Sequence, residues 1–306
     1  MANLKVKYLG TEYENPTVLA SGVLGVTAAT WKSVVNSGAG GITTKSIWLN
    51  EHKGHPNPTI ITTEHWMMNA VGLPDAGLEK AKEEIAAYSA NKPAPLIASI
   101  VAGKKDEFSK IAEEVDKLDV DVLEVNISCP NVEDELGLPF ACVAMDAKSV
   151  TEEVKKVAKN KPVIIKLSPN VTNIVEIANA CAEAGADGFC LINTLGPGLA
   201  INLETRMPIL ANKVGGISGP AIKPLAIKKV SDVYQATKLP IIGTGGVTTG
   251  ADALEMMMAG ATLVGIGTAV FYRGADVFRK VTKEMSDWCD KEGVANAFEL
   301  IGTAKV

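Results

Sequence analysis

Cysteine and histidine are scarce in this 306-residue chain, and each shortage argues against a class of protein. The five cysteines, Cys129, Cys142, Cys181, Cys190 and Cys289, are odd in number and form no C-x-x-C pair. A disulfide framework or a cysteine-rich metal site is therefore not expected. The three histidines, His52, His55 and His65, share one polar stretch without helical H-x-x-x-H spacing. They read as loop histidines rather than zinc ligands, so no metal is expected. An excess of basic charge is missing too. The net charge is −5, which argues against a nucleic-acid partner. No apolar run reaches the ~20 residues that span a bilayer, so no membrane span is expected. The segment Met1-Ala-Asn-Leu-Lys-Val-Lys lacks the apolar stretch of a signal peptide, and the expected location is cytoplasmic.

What is present is a large core. Hydrophobic residues make up 47% of the chain and charged ones 21%, unlike a disordered protein. At ~150 residues per domain the length suggests two domains, but single α/β barrels often exceed ~250 residues. No linker-like stretch and no repeat beyond a βα unit occurs. The expectation is one domain over residues 1–306.

Short apolar runs alternate with helical patterns. The runs are Thr17–Ala20, Gly41–Thr44, Leu96–Ile100, Val122–Asn126, Val163–Leu167, Gly188–Ile192, Pro240–Gly243 and Leu263–Ile266. Continuous strings such as Pro-Val-Ile-Ile-Lys-Leu fit parallel strands covered on both faces. Between them, apolar residues recur at helical spacing: Phe108, Ile111, Ala112, Val115 and Leu118; Ile174, Ile177, Ala178, Cys181 and Ala182; Val277, Val281, Met285 and Trp288. Cys181 and Cys289 thereby fall to core packing. The pattern predicts a (β/α)8 TIM barrel with long loop insertions over its C-terminal mouth. A doubly wound sheet is the rival, but no G-x-G-x-x-G follows the first strand. The connections 46–75 and 129–150 and the Pro- and Gly-rich 202–218 should lie over the mouth, where barrel active sites sit.

Four groups of residues there carry chemistry. Ile241-Ile-Gly-Thr-Gly-Gly246 and Leu263-Val-Gly-Ile-Gly-Thr268 end the seventh and eighth strands in glycine. Backbone N–H groups at those ends suit a phosphate, and tight packing turns are the alternative. Lys45 and Lys166 stand at or in strand ends, where a buried ammonium needs an anionic partner. That partner is a ligand, or a carboxylate such as Glu124 in a structural ion pair. Cys129 follows Asn126 at a strand end and suits a nucleophile or general base, its reference pKa lying near ~8.5. Ser128 is a second candidate base or a turn residue, and Cys142 and Cys190 have weaker claims. Finally, Asn69, Asn126, Asn131 and Asn193 would suit a planar ligand rich in C=O and N–H groups, or else cap loops.

Together these residues resemble class 1 dihydroorotate dehydrogenases over nearly the whole chain. The resemblance is carried by Asn15-Pro-Thr-Val-Leu-Ala-Ser-Gly22, Thr44-Lys-Ser46, Asn69-Ala-Val-Gly-Leu73, Asn126-Ile-Ser-Cys-Pro-Asn131, Asn193-Thr194, Ser218-Gly-Pro-Ala-Ile-Lys-Pro224, Gly243-Thr-Gly-Gly246 and Gly267-Thr268. It implies an FMN-binding barrel that oxidises (S)-dihydroorotate to orotate in pyrimidine synthesis. It implies contacts to FMN from Ser21, Lys45, Ser46, Asn126, Lys166, Ile192, Gly219, Gly245, Gly246, Gly267 and Thr268. Ser99 stands at a further flavin-contact position, where the family often has asparagine. Substrate contacts are implied for Lys45, Asn69, Ala70, Val71, Gly72, Leu73, Asn126, Asn131, Asn193 and Thr194. Cys129 takes the position of the catalytic base, with Lys45 as the other catalytic residue.

Gly215-Gly-Ile-Ser-Gly-Pro-Ala-Ile-Lys-Pro224 resembles class 1B. That subclass implies a homodimer core joined to a second subunit with FAD and a 2Fe–2S cluster. The assembly is a heterotetramer of two catalytic and two electron-transfer chains, with NAD as final acceptor. A fumarate-linked class 1A enzyme and a related dihydropyrimidine dehydrogenase are the alternatives. The loop Asn131-Val-Glu-Asp-Glu-Leu-Gly-Leu-Pro139 departs from the family in being acidic rather than rich in glycine and lysine.

Overall fold

The computed structural model describes residues 2–128 and 140–305. Eight parallel strands close into a barrel: β1 (Thr17–Leu19), β2 (Gly41–Thr43), β3 (Leu96–Ile100), β4 (Val122–Asn126), β5 (Val163–Lys166), β6 (Gly188–Leu191), β7 (Ile241–Thr244) and β8 (Leu263–Ile266). Each pairs with the next in sequence, and β8 returns to β1. All eight apolar runs of the sequence are these strands. The barrel forms because such runs hide both faces: every residue of β3, β4, β5, β6 and β8 is buried. The seventh run sits one residue later than expected, ending at Thr244 rather than Gly243.

Helices cover the outside: α1 (Ala28–Asn36), α2 (Leu78–Ser89), α3 (Lys105–Val115), α4 (Ala144–Val157), α5 (Ile174–Glu183), α6 (Lys223–Thr237), α7 (Gly250–Met258), the short α8 (Ala269–Arg273) and α9 (Val277–Glu292). The expected stripes face the barrel. Phe108, Ile111, Ala112 and Val115 are buried on α3, and Ile174, Ile177, Ala178 and Cys181 on α5. On α9, Val277, Val281, Met285 and Cys289 are buried, with Trp288 partly so. Local chemistry starts α1 and α7. Thr27 with Thr30, and Thr249 with Asp252, close reciprocal capping boxes that satisfy first-turn N–H groups.

The insertions are more ordered than loops. Ile60–Thr62, Met67–Asn69, Leu195–Leu199 and Val214–Ser218 form a four-stranded antiparallel sheet above the mouth. In it, Val214–Ser218 bridges Leu195–Leu199 and Met67–Asn69. The sequence hid these strands because all are short, and two of them are interrupted by glycine or proline, as in Leu195-Gly-Pro-Gly-Leu199 and Val214-Gly-Gly-Ile-Ser218. This cap pins two distant insertions over one side of the barrel. The histidines go separate ways below it. His52 stacks on Trp48 with ring centroids 4.5 Å apart, and His55 Nδ1 meets Ala70 O at 3.1 Å.

Candidate active site

Barrel and cap enclose a cavity of about 350 Å³ at the C-terminal ends of the strands. That lies in the range of roughly 300–1,000 Å³ typical of small-molecule sites. Every strand end places something at its wall except β3, whose contribution stays behind it.

One end is an anion cradle. After β7 the chain turns through Gly245 and Gly246, with φ of 131° and 75°. A Cβ on Gly246 would stand 2.8 Å from the backbone N of Lys223, so only glycine lets the turn pack there. After β8, Gly267 and Thr268 lead into α8. The backbone N–H groups of Gly246, Gly267 and Thr268 make no hydrogen bond among the described residues. Three such donors lining one cavity at the seventh and eighth strand ends fit a phosphate. The Thr268 hydroxyl donates to Ser218 Oγ at 2.9 Å, which ties the cradle to the cap sheet.

The floor and opposite wall are a hydrogen-bonded chain of small polar side chains. Ser46 Oγ lies 3.3 Å from Ser21 Oγ and 3.0 Å from Ser99 Oγ, and accepts from Asn126 Nδ2 at 3.2 Å. Ser128 Oγ donates to Asn126 Oδ1 at 2.7 Å and accepts from Asn193 Nδ2 at 2.6 Å. Asn193 Oδ1 in turn accepts from the Thr194 N–H at 2.8 Å. The chain crosses the ends of β1, β2, β4 and β6, so residues far apart in sequence share one orientation. Ser128 thus bridges two amides of the wall, an arrangement that by itself selects neither its base nor its turn reading.

Two lysines meet the cavity from different strands. Lys45 follows β2, and its N–H donates to Gly25 O at 2.7 Å. Its charge reaches Asp75, whose carboxyl is pushed up by burial while the N–H groups of Gly77 and Trp48 and the Lys45 ammonium pull it down. Lys166 ends β5 and stands 4.0 Å from the Glu124 carboxylate. Here the ligand and ion-pair alternatives are both served, since Lys166 lines the cavity and has a buried carboxylate behind it.

Of the residues the sequence singled out, Ser21, Lys45, Ser46, Asn69, Ala70, Val71, Gly72, Leu73, Asn126, Lys166, Ile192, Asn193, Thr194, Gly219, Gly245, Gly246, Gly267 and Thr268 all line this cavity. Ser99 does not line it. It is fully buried behind Ser46 and reaches the cavity only through that hydroxyl. Cys129 and Asn131 lie outside the described residues. Cys190 is buried, and burial pushes its thiol well up, which makes it a poor nucleophile. Sequence reasoning missed Leu24, Ile60, Met67, Val247, Thr248 and Phe271, which also line the cavity. None stands in a recognisable motif. Ser218 and Thr244 also line it, and both sit inside motifs already singled out.

Fold and site together define a (β/α)8-barrel enzyme with an anion cradle at one end of its cavity and a lysine- and amide-lined wall at the other. Within that class, the chain belongs to the dihydroorotate dehydrogenase family, whose model matches residues 3–288. It is 43% identical to the dihydroorotate dehydrogenase B (NAD(+)) catalytic subunit of Methanocaldococcus jannaschii, over 98% of each chain. It is 40% identical to the protein of the same name from Methanothermobacter thermautotrophicus, again over 98% of each. The like-named protein of Geotalea uraniireducens is 42% identical over 98% of this chain and 97% of its own. The protein is an oxidoreductase of a family that is generally flavin-dependent.

Proposed function

We propose that this protein oxidises (S)-dihydroorotate to orotate in pyrimidine synthesis, with FMN in the cavity. Electrons then leave to NAD through a partner subunit carrying FAD and a 2Fe–2S cluster. One observation carries the reading: a single cavity joins an anion cradle to a wall of lysine and asparagine. A flavin mononucleotide needs the first for its phosphate. A carboxylated dihydropyrimidine needs the second, because it combines an anion with several C=O and N–H groups. The relatives' shared name, catalytic subunit of an NAD-linked enzyme, supports the partner.

Residues divide by end. Gly245, Gly246, Gly267 and Thr268 hold the phosphate, while Ser21, Ser46, Lys166, Ile192 and Gly219 border the ring. FMN, when bound, supplies the hydride acceptor. Lys45 pairs with the substrate carboxylate. Asn69, Asn126, Asn131, Asn193 and Thr194 fix the heterocycle's amide edges, which is largely a positioning effect. Ala70, Val71, Gly72 and Leu73 close over it and exclude water. Cys129 takes the C5 proton as general base. The barrel works as one domain over residues 1–306. We assign it to the cytoplasm, as the catalytic half of a heterotetramer built on a homodimer of barrels.

Anaerobic addition of dihydroorotate to the purified protein tests the reading. The oxidised-flavin absorbance should bleach, and dihydrouracil should leave it unchanged. A preparation without flavin, or one bleached by dihydrouracil alone, would sink it.

A further inference from the structure

Beneath the cavity floor, β4 turns a carboxylate into the barrel interior. Glu124 is 1% exposed, and its Oε1 has no hydrogen-bond partner. Bare burial of a charge is expensive, so a nearby cation has to compensate it. Among the described residues, Lys166 is the cation ion-paired with it, at 4.0 Å. That gap is too long for a hydrogen bond. Lys166 also lines the cavity, so its ammonium stands between the Glu124 carboxylate and a ligand. Strand register builds the arrangement. Asn126 and Cys190 flank Lys166 on either side, and Glu124 sits one inward-facing step below Asn126. The Cys190 thiol reports both charges. Burial pushes it up, Glu124 pushes the same way, and Lys166 pulls it down.

Seen from the cavity, the pair is a dipole with its positive end toward the ligand. Without Glu124 the floor would carry a full uncompensated charge. Such a charge favours an electron-rich ring above it far more strongly at the low effective dielectric of a buried site. We propose that Glu124 is a positioning residue for electron transfer: paired with Lys166, it limits how strongly that ammonium stabilises the reduced flavin, so that electrons pass on rather than stay. The inference rests on FMN occupying this cavity.

The test uses the whole protein with its bound FMN, and reads the reduced-to-oxidised flavin ratio at a fixed solution potential. Glu124→Gln keeps the shape and removes the charge. The ratio should rise by about tenfold. Lys166→Gln should lower it, and adding Glu124→Gln to Lys166→Gln should change it by less than about twofold. An unchanged ratio in Glu124→Gln, or an equal rise in both backgrounds, overturns the proposal. Should Glu124→Gln fail to fold, Glu124→Asp asks the same question. It draws the charge one methylene back from Lys166, so the ratio should rise by a smaller factor, and no rise overturns the proposal. A wild-type protein without flavin overturns both this inference and the function it rests on. A flavin-bound wild type with unmoved ratios in the variants overturns this inference alone.

Discussion

A hydroxyl that donates to one amide and accepts from another decides which way both amides face. Ser128 does this between Asn126 and Asn193. Ser128→Ala would remove one anchor from each, leaving Asn126 held by Ser46 and the residue-128 N–H and Asn193 by the Thr194 N–H alone, so both amides would sit more loosely against the ligand. The lost hydrogen bonds amount to about 1–2 kcal/mol. The KM for dihydroorotate should therefore rise about tenfold with kcat little changed. Steady-state kinetics decide it, and a collapse of kcat at constant KM would mean that Ser128 itself moves a proton. The proposed base behaves in the opposite way. Cys129→Ala should retain FMN and lose about 10²-fold or more in turnover, because removing a general base strikes the chemical step. Unaltered turnover would refute the role.

Among elements, the turn after β7 and the start of α7 form one unit. Lys223 bonds Asp252 at 2.7 Å, and its backbone packs under Gly246. Gly246→Ala puts a Cβ against that backbone in a left-handed conformation, so the cradle must deform. FMN affinity should fall by at least about tenfold, while the melting temperature moves only a few degrees. Apoprotein titration with FMN measures it, and undiminished affinity would remove the cradle from the phosphate site. Asp252 adds a pH dependence. Burial works to raise its carboxyl, but the Lys223 ammonium and the Thr248 and Thr249 donors win and hold it at about 2. A depressed carboxyl contributes stability that is complete above its unfolded value near 4 and is lost as pH falls toward 2. The contribution is about 2 kcal/mol. Asp252→Asn should therefore be less stable than the native chain at pH 7, with the gap closing below pH 4. Denaturant melts at both values check this, and a pH-independent gap would contradict it.

For the molecule as a whole, the prediction concerns company. Co-expressed with its neighbours and purified gently, the barrel should bring down a chain carrying FAD and iron–sulfur. Its NAD-dependent turnover should depend on that chain. Efficient fumarate reduction by the barrel alone would point to the 1A type instead.

Much was legible in one dimension. The eight barrel strands could be read because a strand covered on both faces must be apolar throughout. The cradle could be read because close approach to an anion demands glycine at the seventh and eighth strand ends. Motif order identified the family, and the resemblance named eighteen of the cavity-lining residues. Tertiary structure alone decided the rest. Pairing between Met67–Asn69 and Val214–Ser218, about 150 positions apart, made a sheet from segments with no strand pattern of their own. The closed barrel set Ser99 behind Ser46 and Glu124 behind Lys166. Depth behind a cavity wall depends on which strands lie side by side. That information belongs to the register between chain segments and to no single segment.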